Sequence, residues 1–421
     1  MPEALELLRR RVEERYPAYV AELAALVAID SGSGDHLGVE RVGDRVAALL
    51  TGLGMAVSHP LSVTAAAVGV PAVVGRSRGR GSLRALLVGH LDTVFADGTA
   101  ATRPYAERAG RATGPGVCDD KGGLLAGVFA LDALRHVGWD DFATVTFVGV
   151  PDEEIGSPGS RDLLAALAGE HDVALCLECA REDGSLVIGR KGVVDVVLEV
   201  SGRSAHAGVE PERGVNAAVV AAGLALELAG LNGRWPDVTA NVGVLRSGER
   251  ANVVPDRAQL VVDVRAAAPS SYDEVLIAIR SLADRASVDG ASVSVSLESP
   301  APPWAPTDDS LAVADTARGV AARLGIDLDL ALTGGAADAN LLAAEGITVL
   351  DGLGPVGGDD HSQSEWLDLT SVVPRVTLLA GLLLELSSGP AGRMRRPARP
   401  RPFPRSASTT LTRSQGRITT P

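Results

Sequence analysis

The sequence predicts an α/β protein in which a mostly parallel sheet is flanked by helices and the chain is interrupted by an inserted α+β module. Short apolar runs alternate with helical patterns before residue 192 and again after residue 303, which is typical of a parallel sheet covered by helices. Between them the order of predicted elements is β-α-β-β-α-β, that of a ferredoxin-like module. A chain of 421 residues is long enough for both units.

The first segment begins with two amphipathic patterns that predict helices over residues 3–28 and 38–53. A β-rich region follows and ends with the short apolar run 83–88, which is typical of a buried strand. After a loop rich in Gly, Pro and Thr over residues 96–116, Lys121-Gly122-Gly123 opens a helix that extends to about His136. Strands over 143–150 and 173–177 and a helix over 159–168 complete this segment.

The inserted segment is predicted to have strands over 193–200, 238–245, 259–264 and 291–298, and helices over 214–229 and 272–285. Four prolines between residues 300 and 306 suggest a linker. Afterwards we predict helices over 311–324, 340–345 and 372–386 and a strand over 348–350. The expected domains are therefore a discontinuous α/β domain, residues 1–191 and 304–388, and an insertion, residues 192–303.

Residues 389–421 differ from the rest in composition and predict a disordered basic tail. They contain eight arginines and no acidic residue, which leaves 31 basic and 53 acidic residues in the body. A body this acidic repels nucleic acid and anionic membranes, so we expect neither as a partner. The tail itself has two open interpretations, a tether to an anionic surface or an extension without function.

Three further features of the sequence predict the cellular compartment of the protein. Three cysteines cannot build a disulfide framework. No apolar run approaches the roughly 20 residues of a membrane span, and the N-terminal helical pattern lacks the apolar core of a signal peptide. We therefore expect a cytoplasmic protein.

The motif Gly89-His90-Leu91-Asp92-Thr93 follows directly on the predicted strand 83–88. His90 would lie at the carboxyl end of a strand, where open α/β sheets bind their ligands. Asp92 is close enough in sequence to hold one imidazole nitrogen and leave the other for a metal ion. The alternative is an ordinary histidine hydrogen-bonded to a loop carbonyl, and the choice depends on whether other ligands converge on His90.

Acidic residues follow the neighbouring predicted elements. Asp119 and Asp120 lie between a Gly-Pro-Gly turn and a helix, where an Asp is also a common helix cap. Glu153 and Glu154 follow the strand 143–150, either in a solvated loop or close to a cation that relieves their repulsion. Glu178 ends the apolar run 173–177, and His361 follows a Gly-rich loop after the strand 348–350.

Together these residues predict a metal site at one edge of the sheet. Two imidazoles and at least three carboxylates suit a pair of borderline divalent ions such as zinc, with one carboxylate bridging them. The set is too poor in hydroxyl and thiol nucleophiles for a catalytic triad.

All three cysteines adjoin these residues. We interpret them as small apolar fillers, because a structural zinc site at Cys176-x-x-Cys179 would need a second pair.

Five segments in order, GHLDTV, GPGVCDDKGG, DEEIGSPGSRDL, RSAHAG and HSQSEW, resemble the dinuclear zinc aminoacylase/carboxypeptidase family. That family includes acetylornithine deacetylase, succinyl-diaminopimelate desuccinylase and glutamate carboxypeptidase. The resemblance extends from about residue 5 to residue 388 and is greatest to the glutamate carboxypeptidase branch. It implies a zinc-exopeptidase-like fold and a metal-dependent amidohydrolase that acts on small peptides or N-acyl amino acids.

The resemblance also implies a role for each matching residue. Asp119 would bridge two Zn²⁺ ions, for which Co²⁺ or Mn²⁺ could substitute, and the Asp119–Asp120 peptide bond would be cis. Glu153 would be the general base that takes a proton from the attacking water, and Asp92 would orient His90. The remaining metal ligands would be His90 and Glu178 at one ion and Glu154 and His361 at the other.

Further implied roles fall mainly in the inserted segment. His206, in the motif RSAHAG, would cross the interface of a homodimer formed through this segment and stabilise the oxyanion in the partner's site. A surface histidine without a role is the alternative. Asn252 and Arg265 would hold the substrate carboxylate, for which a planar guanidinium is suited. Gly334 and Gly335 would let the substrate approach the backbone closely.

Two enzymatic hypotheses and one non-enzymatic hypothesis follow. The first is a carboxypeptidase that hydrolyses the amide bond to a C-terminal amino acid, with glutamate suggested by the branch. The second is an N-acyl amino acid deacylase of the acetylornithine or succinyl-diaminopimelate type. A non-catalytic metal-binding dimer is disfavoured because the expected base, Glu153, is present.

Overall fold

The computed structural model describes residues 2–61, 69–287 and 290–389, so the predicted tail lies outside the described residues from residue 390 onward. Its α-helices agree with the predicted ones except for one additional short helix. They are α1 (Pro2–Val27), α2 (His36–Gly52), α3 (Thr99–Thr102), α4 (Lys121–His136), α5 (Arg161–Glu170), α6 (Ala217–Ala229), α7 (Pro269–Ala286), α8 (Asp308–Leu324), α9 (Asp338–Ala344) and α10 (Leu369–Ser388).

The strands include all the predicted ones and several short ones that the sequence did not indicate. They are β1 (Ala56–Ser58), β2 (Val73–Arg78), β3 (Arg84–His90), β4 (Ala106–Arg108), β5 (Arg111–Thr113), β6 (Thr144–Val150), β7 (Val173–Cys176), β8 (Leu186–Arg190), β9 (Gly192–Ser201), β10 (Ala205–His206), β11 (Thr239–Ser247), β12 (Val253–Val254), β13 (Arg257–Ala266), β14 (Ser292–Ala301), β15 (Leu330–Thr333), β16 (Thr348–Leu350), β17 (Gly357–Gly358) and β18 (Trp366–Asp368).

The larger sheet has the strand order β1-β2-β6-β3-β7-β16. The pairs β6/β3, β3/β7 and β7/β16 are parallel, and only the edge pairs β1/β2 and β2/β6 are antiparallel. Residues of β3 alternate between two cores. Leu87 packs in the core that contains residues of α1, α4 and α10, whereas Leu86 and Val88 pack in the core that contains residues of α5 and α9. Helices therefore cover both faces, which explains why the strand is apolar throughout.

A second sheet, of four antiparallel strands, has the order β11-β13-β9-β14. Its elements follow one another as β9-α6-β11-β13-α7-β14, so the predicted ferredoxin-like order is confirmed. A separate hydrophobic core lies between this sheet and α6 and α7, and Leu198, Leu260 and Ile279 are among its fully buried residues. The domain boundaries at residues 192 and 304 stay a prediction.

Three differences from the predicted elements concern local structure. The strand predicted over 83–88 extends to His90, so the imidazole is carried by the sheet itself. The predicted loop 96–116 contains α3 and the hairpin β4–β5, which pairs with β18. In place of a simple linker, the proline-rich segment pairs with the body, since Trp304 exchanges backbone hydrogen bonds with Arg190.

Helix α10 is long and apolar enough to span a membrane by length and composition alone. However, 67% of its most apolar window is buried inside the fold, against α1, α4 and α8. The core helix of a globular unit has the same composition, because it is surrounded by apolar neighbours.

Candidate active site

Four neighbouring parallel strands end at the same edge of the larger sheet, and each is followed by a polar residue that points to one site. His90 is the last residue of β3. Glu153 and Glu154 begin a short 3₁₀ turn after β6, and Glu178 and Asp351 follow β7 and β16 respectively. Since the carboxyl ends of parallel strands meet at one edge, residues far apart in sequence become neighbours.

The Asp119 carboxylate lies between two imidazoles and offers one oxygen to each. His90 Nε2 is 2.8 Å from Asp119 Oδ1, and His361 Nε2 is 3.1 Å from Asp119 Oδ2. Glu154 Oε2 is also 3.1 Å from His361 Nε2, and Glu178 Oε1 is 3.8 Å from His90 Nε2. The structure therefore brings all five predicted ligands together as two sets that share Asp119.

Hydrogen bonding at these residues fits bound cations. His90 Nδ1 lies 3.0 Å from the backbone oxygen of Asp92. A proton on Nδ1 would leave Nε2 unprotonated, with its lone pair directed at the Asp119 carboxylate. The single proton that His361 Nε2 can carry cannot serve both Asp119 and Glu154. Glu154 Oε1 is buried with no hydrogen-bond partner among the described residues. A cation in each set would resolve all three conflicts.

Burial of so many carboxylates also favours a cation here. Burial, together with the nearby Asp119, raises the pKa of Glu178 to about 8. Burial raises the pKa of Glu153 well above its usual range. Asp119 is the exception, because its contacts with the imidazoles of His361 and His90 outweigh the effect of burial and lower its pKa. The donor set of imidazoles and carboxylates is the one that zinc and similar ions prefer.

Asp92 holds three parts of this site at once. Its carboxylate lies 3.4 Å from His90 Nδ1 and accepts hydrogen bonds from the backbone N–H groups of Glu153 and Glu154, at 3.1 and 3.2 Å. Ser33 Oγ donates a further bond of 2.7 Å. The predicted contact between Asp92 and His90 is therefore present, and Asp92 in addition fixes the turn that carries both glutamates.

Sequence reasoning missed the residues that hold the Asp119 loop. The buried Glu365 carboxylate accepts backbone hydrogen bonds from Gly116, Cys118 and Asp119, at 2.9, 2.9 and 3.1 Å. Lys121 is buried and donates from Nζ to the carbonyl oxygens of Ile29 and Pro115. The Asp119–Asp120 peptide bond is cis, as predicted. Glu365 is the glutamate of the motif HSQSEW, and its place in that motif was the signal by which the sequence could have identified it.

A cavity of about 610 Å³ opens onto the predicted ligands Asp119, Glu154, Glu178 and His361, and Glu153 also lines it. This volume is in the range of small-molecule sites. Of the three acidic residues in the turn after β6, Glu153 and Glu154 line the cavity, whereas Asp152 does not. Its carboxylate is buried and accepts hydrogen bonds from Ser160.

Arg190 lines the cavity and was not predicted from the sequence. Its Nε and Nη2 atoms are each 2.7 Å from Asp351 Oδ2, and its Nη1 donates to the Gly335 oxygen at 3.2 Å. Nε and Nη1 each donate one hydrogen bond within the described residues, which fixes the guanidinium and leaves other N–H groups as donors. No local pattern marks this arginine, because its partner Asp351 is 161 positions away.

Of the residues predicted to bind substrate, Arg265 and Gly335 line the cavity. Arg265 already makes a bidentate contact with Asp263, in which Nε donates to Oδ1 and Nη2 to Oδ2, each at 3.0 Å, and its Nη1 donates to the Gly334 oxygen at 3.1 Å. A Cβ atom at Gly334 would meet nothing within 4 Å.

His206 and Asn252 do not line the cavity of their own chain. Both are exposed, and they lie side by side, since β10 pairs with β12 and Ala207 N donates to the Asn252 oxygen at 3.0 Å.

The three cysteines are buried free thiols. Cys118 and Cys179 lie together beside Asp360, whereas Cys176 is separate from them in β7. Within the described residues, Cys176 and Cys179 therefore do not form a shared site.

Residues 86–385 match the family model described as "Peptidase family M20/M25/M40". The chain is 32% identical over 386 residues to carboxypeptidase G2 of Pseudomonas sp. strain RS-16, which covers 91% of this chain and 92% of that protein. It is 30% identical over 271 residues to acetylornithine deacetylase of Edwardsiella ictaluri, which covers 59% of this chain and 68% of that protein.

Solved structures show the same fold. A tripeptidase from Staphylococcus aureus superposes with a TM-score of 0.75 at 22% identity and covers 89% of this chain and 99% of its own. An M20 family metallo-carboxypeptidase from Sulfolobus solfataricus has a TM-score of 0.69 at 16% identity and covers 87% of this chain and 98% of its own. With the family match and the ligand geometry, these relatives show that the chain belongs to the peptidase family M20/M25/M40 and is a metal-dependent hydrolase.

Proposed function

We propose that this hydrolase is a dinuclear zinc carboxypeptidase that releases a C-terminal amino acid, with glutamate as the expected residue. The observation that carries the proposal is the position of Asp119, which offers one carboxylate oxygen to His90 and the other to His361. A carboxylate shared in this way is suited to bridging two cations.

In this proposal His90, Asp119 and Glu178 hold one ion, and Asp119, Glu154 and His361 hold the other. When bound, the two cations would polarise the scissile carbonyl and lower the pKa of a water molecule. Asp92 acts through others as a positioning residue, since its carboxylate contacts His90 and the turn that carries Glu153.

Glu153 is the proposed general base. It lines the cavity next to the ligand Glu154, and burial raises the pKa of its carboxyl group. A raised pKa lets this carboxylate accept a proton from the attacking water and deliver it to the departing amine nitrogen. The Glu153 side chain makes no hydrogen bond to an imidazole or a cationic side chain among the described residues, which leaves it free for this exchange.

The substrate side of the proposal depends on two arginines. Arg265, on β13, would bind the α-carboxylate of the released amino acid through the two Nη hydrogens that Asp263 and Gly334 do not use, since a guanidinium can donate two hydrogen bonds to one carboxylate. Arg190 retains N–H donors, and its charge is attracted to Glu178 and Glu153 as well as to its ion-pair partner Asp351. A second fixed cation in the cavity supports an acidic side chain on the released residue. The similarity to carboxypeptidase G2 supports the same bond type.

An N-acyl amino acid deacylase is the alternative, favoured by the similarity to acetylornithine deacetylase. The two activities share the metal and base residues and differ in what occupies each side of the amide. A panel of N-acetyl-, N-succinyl- and peptidyl-amino acids, assayed with the purified protein and metal analysis, separates them. Cleavage of peptidyl-glutamate above all other substrates is expected with about two zinc ions per chain. Preference for N-acetyl or N-succinyl substrates would replace the proposal by the alternative.

We further propose a homodimer through the four-stranded sheet, with His206 entering the partner's cavity. Helix α6 has apolar residues on its outer face, where Val219 and Leu226 are 67% and 78% exposed. Strand β11 pairs only with β13 in the described part of the chain, so one edge of the sheet is open. The position of His206 and Asn252 outside their own cavity supports a role in the neighbouring chain.

The dimer proposal is tested with Val219→Ser and Leu226→Gln in one variant, measured by light scattering and hydrolysis. We expect a monomer with greatly reduced turnover. Mixing an inactive His206→Ala chain with an inactive Glu153→Gln chain should restore part of the activity, because hybrid dimers contain one complete site. A fully active monomer would contradict the proposal.

The proposed location is the cytoplasm, which is supported by the free thiols. All three cysteines are unpaired and buried in the structure, and unpaired cysteines are typical of reducing compartments.

A further inference from the structure

Outside the His and carboxylate set, Cys118, Cys179 and Asp360 form a second group of metal-binding side chains. Their sulfur and carboxylate atoms all lie within 4.8 Å of one another. His90, Asp119 and Glu154 lie equally close to one another. No other group of three His, Cys, Asp or Glu side chains in residues 2–61, 69–287 and 290–389 does so. We propose that Cys118, Cys179 and Asp360 form an additional cation site, selective for thiophilic ions such as Zn²⁺ and Cd²⁺.

The distances within this cluster are those of ligands around a small ion. Cys179 Sγ is 3.7 Å from Asp360 Oδ1 and 3.6 Å from Oδ2. Tetrahedral zinc with Zn–S of about 2.3 Å and Zn–O of about 2.1 Å separates sulfur from oxygen by about 3.6 Å. The distance between the Cys179 sulfur and the Asp360 oxygens is therefore already the one expected between two ligands of a tetrahedral zinc ion.

The charge and polarity of the cluster also favour an ion. Cys118 and Cys179 are buried, with 1% and 9% of their surfaces exposed. Asp360 is partly buried and lines the cavity, and Cys179 is the side-chain hydrogen-bond partner of its carboxylate among the described residues. A thiol is a weak donor and compensates a partly buried carboxylate poorly. A divalent cation would compensate it fully, and thiolates would make the site select soft ions.

Three separate segments supply the ligands, and each ligand is one position away from a proposed catalytic ligand. Cys118 precedes Asp119, Cys179 follows Glu178 and Asp360 precedes His361. Because adjacent residues share a peptide plane, an ion at this cluster would fix the backbone on which those three catalytic ligands depend. The inference does not depend on which amide bond the enzyme hydrolyses.

The test is a titration of the metal-free, reduced, full-length protein with Co²⁺. Sulfur bound to Co²⁺ gives an intense charge-transfer band in the near ultraviolet, which imidazole and carboxylate ligands do not give. We expect this band, together with about one more bound ion per chain than the His and carboxylate set accounts for. Binding without the band would overturn the additional site and leave the proposed catalytic site intact.

Matched variants locate the sulfur ligands. Cys118→Ser and Cys179→Ser should each abolish the band and reduce binding by one ion per chain. Cys176→Ser is the control, because Cys176 is equally buried in β7 but outside the cluster, and it should keep both. A band that persists in the first two variants, or disappears in the control alone, would refute the assignment.

Zinc X-ray absorption of the wild-type protein avoids any variant that fails to fold. Sulfur scatterers should be present around zinc in the fully loaded protein. Spectra with only nitrogen and oxygen ligands at full loading would overturn the proposal. Recovery of Cys118 and Cys179 as a disulfide from protein prepared under reducing conditions would also overturn it.

Discussion

The two sheets of this protein contribute to the site in different ways. Strands β3 and β7 of the larger sheet are buried on both faces, so their polar residues lie at or beyond the strand ends. Strand β13 of the four-stranded sheet alternates between buried and partly exposed residues, and Arg265 lies on its open face. A sheet covered on both sides fixes buried metal ligands. A sheet open on one side offers its face to a substrate.

The largest expected effect tests the chemical role of the larger sheet's edge. Replacing Glu153 by Gln removes the proposed base and keeps the shape of the side chain. We expect kcat to fall by about 100- to 10,000-fold, while zinc content and KM change little, because Glu153 is not one of the proposed ligands. Steady-state kinetics and metal analysis measure both. Turnover close to wild type would assign the base elsewhere.

The next effect tests whether the two sheets are independent folding units. Leu87 and Leu260 are fully buried in different cores, and Leu→Ala in a core costs about 2–5 kcal/mol. We expect Leu260→Ala to destabilise only the four-stranded sheet and to leave metal binding intact. Leu87→Ala should destabilise the larger sheet and weaken metal binding. Denaturant unfolding followed by Trp fluorescence, with metal analysis, tests this, and one common transition for both variants would contradict it.

A smaller effect is expected at the substrate contact. Arg265→Met should raise KM by about 10- to 100-fold with little change in kcat, since a hydrogen bond to a charged group contributes about 1.5–3 kcal/mol. Arg265→Lys should recover only part of the loss, because an ammonium group cannot form the bidentate contact. The loss should vanish for substrates whose α-carboxylate is amidated. An equal loss for amidated substrates would show that Arg265 has a structural role.

The smallest effect concerns pH and a histidine far from the metal centre. Burial lowers the pKa of His171, whose ring contacts the Leu167 oxygen and Thr146 Oγ1, each at 2.7 Å. The unfolded chain therefore binds a proton near pH 6.5 that the folded chain does not, so stability falls as pH decreases below that value. His171→Gln should lose less stability than wild type between pH 7.5 and 5.5. Urea unfolding with a chelator present measures this, and equal losses would contradict it.

Much of the fold followed from the sequence because its periodicity is strong. The apolar run ending at His90 and the alternating pattern of β13 predicted a strand buried on both faces and one buried on a single face. Short strands such as β8 and β15 were missed, since they pair with each other across more than 140 positions. Strands of four or five residues are also too short to show a clear periodic pattern.

The candidate site could be predicted where a polar residue follows an apolar run. His90, Glu154 and Glu178 are of this kind. Arg190 and Glu365 are not, because their importance comes from partners such as Asp351 and the backbone of the Asp119 loop. A long-range contact of this type is specified by the packing of several elements at once.

The amino-acid sequence by itself determined which residues are available for the chemistry and which strand ends carry them, since hydrophobic periodicity is a local property. Only the tertiary structure decided that Asp119 offers one oxygen to each of two histidines and that Cys118, Cys179 and Asp360 form a second cluster. It also decided that Arg190 is fixed by Asp351 and lines the cavity. Distances between side chains that are 29 to 242 positions apart depend on how sheets and helices pack, and no local pattern encodes them.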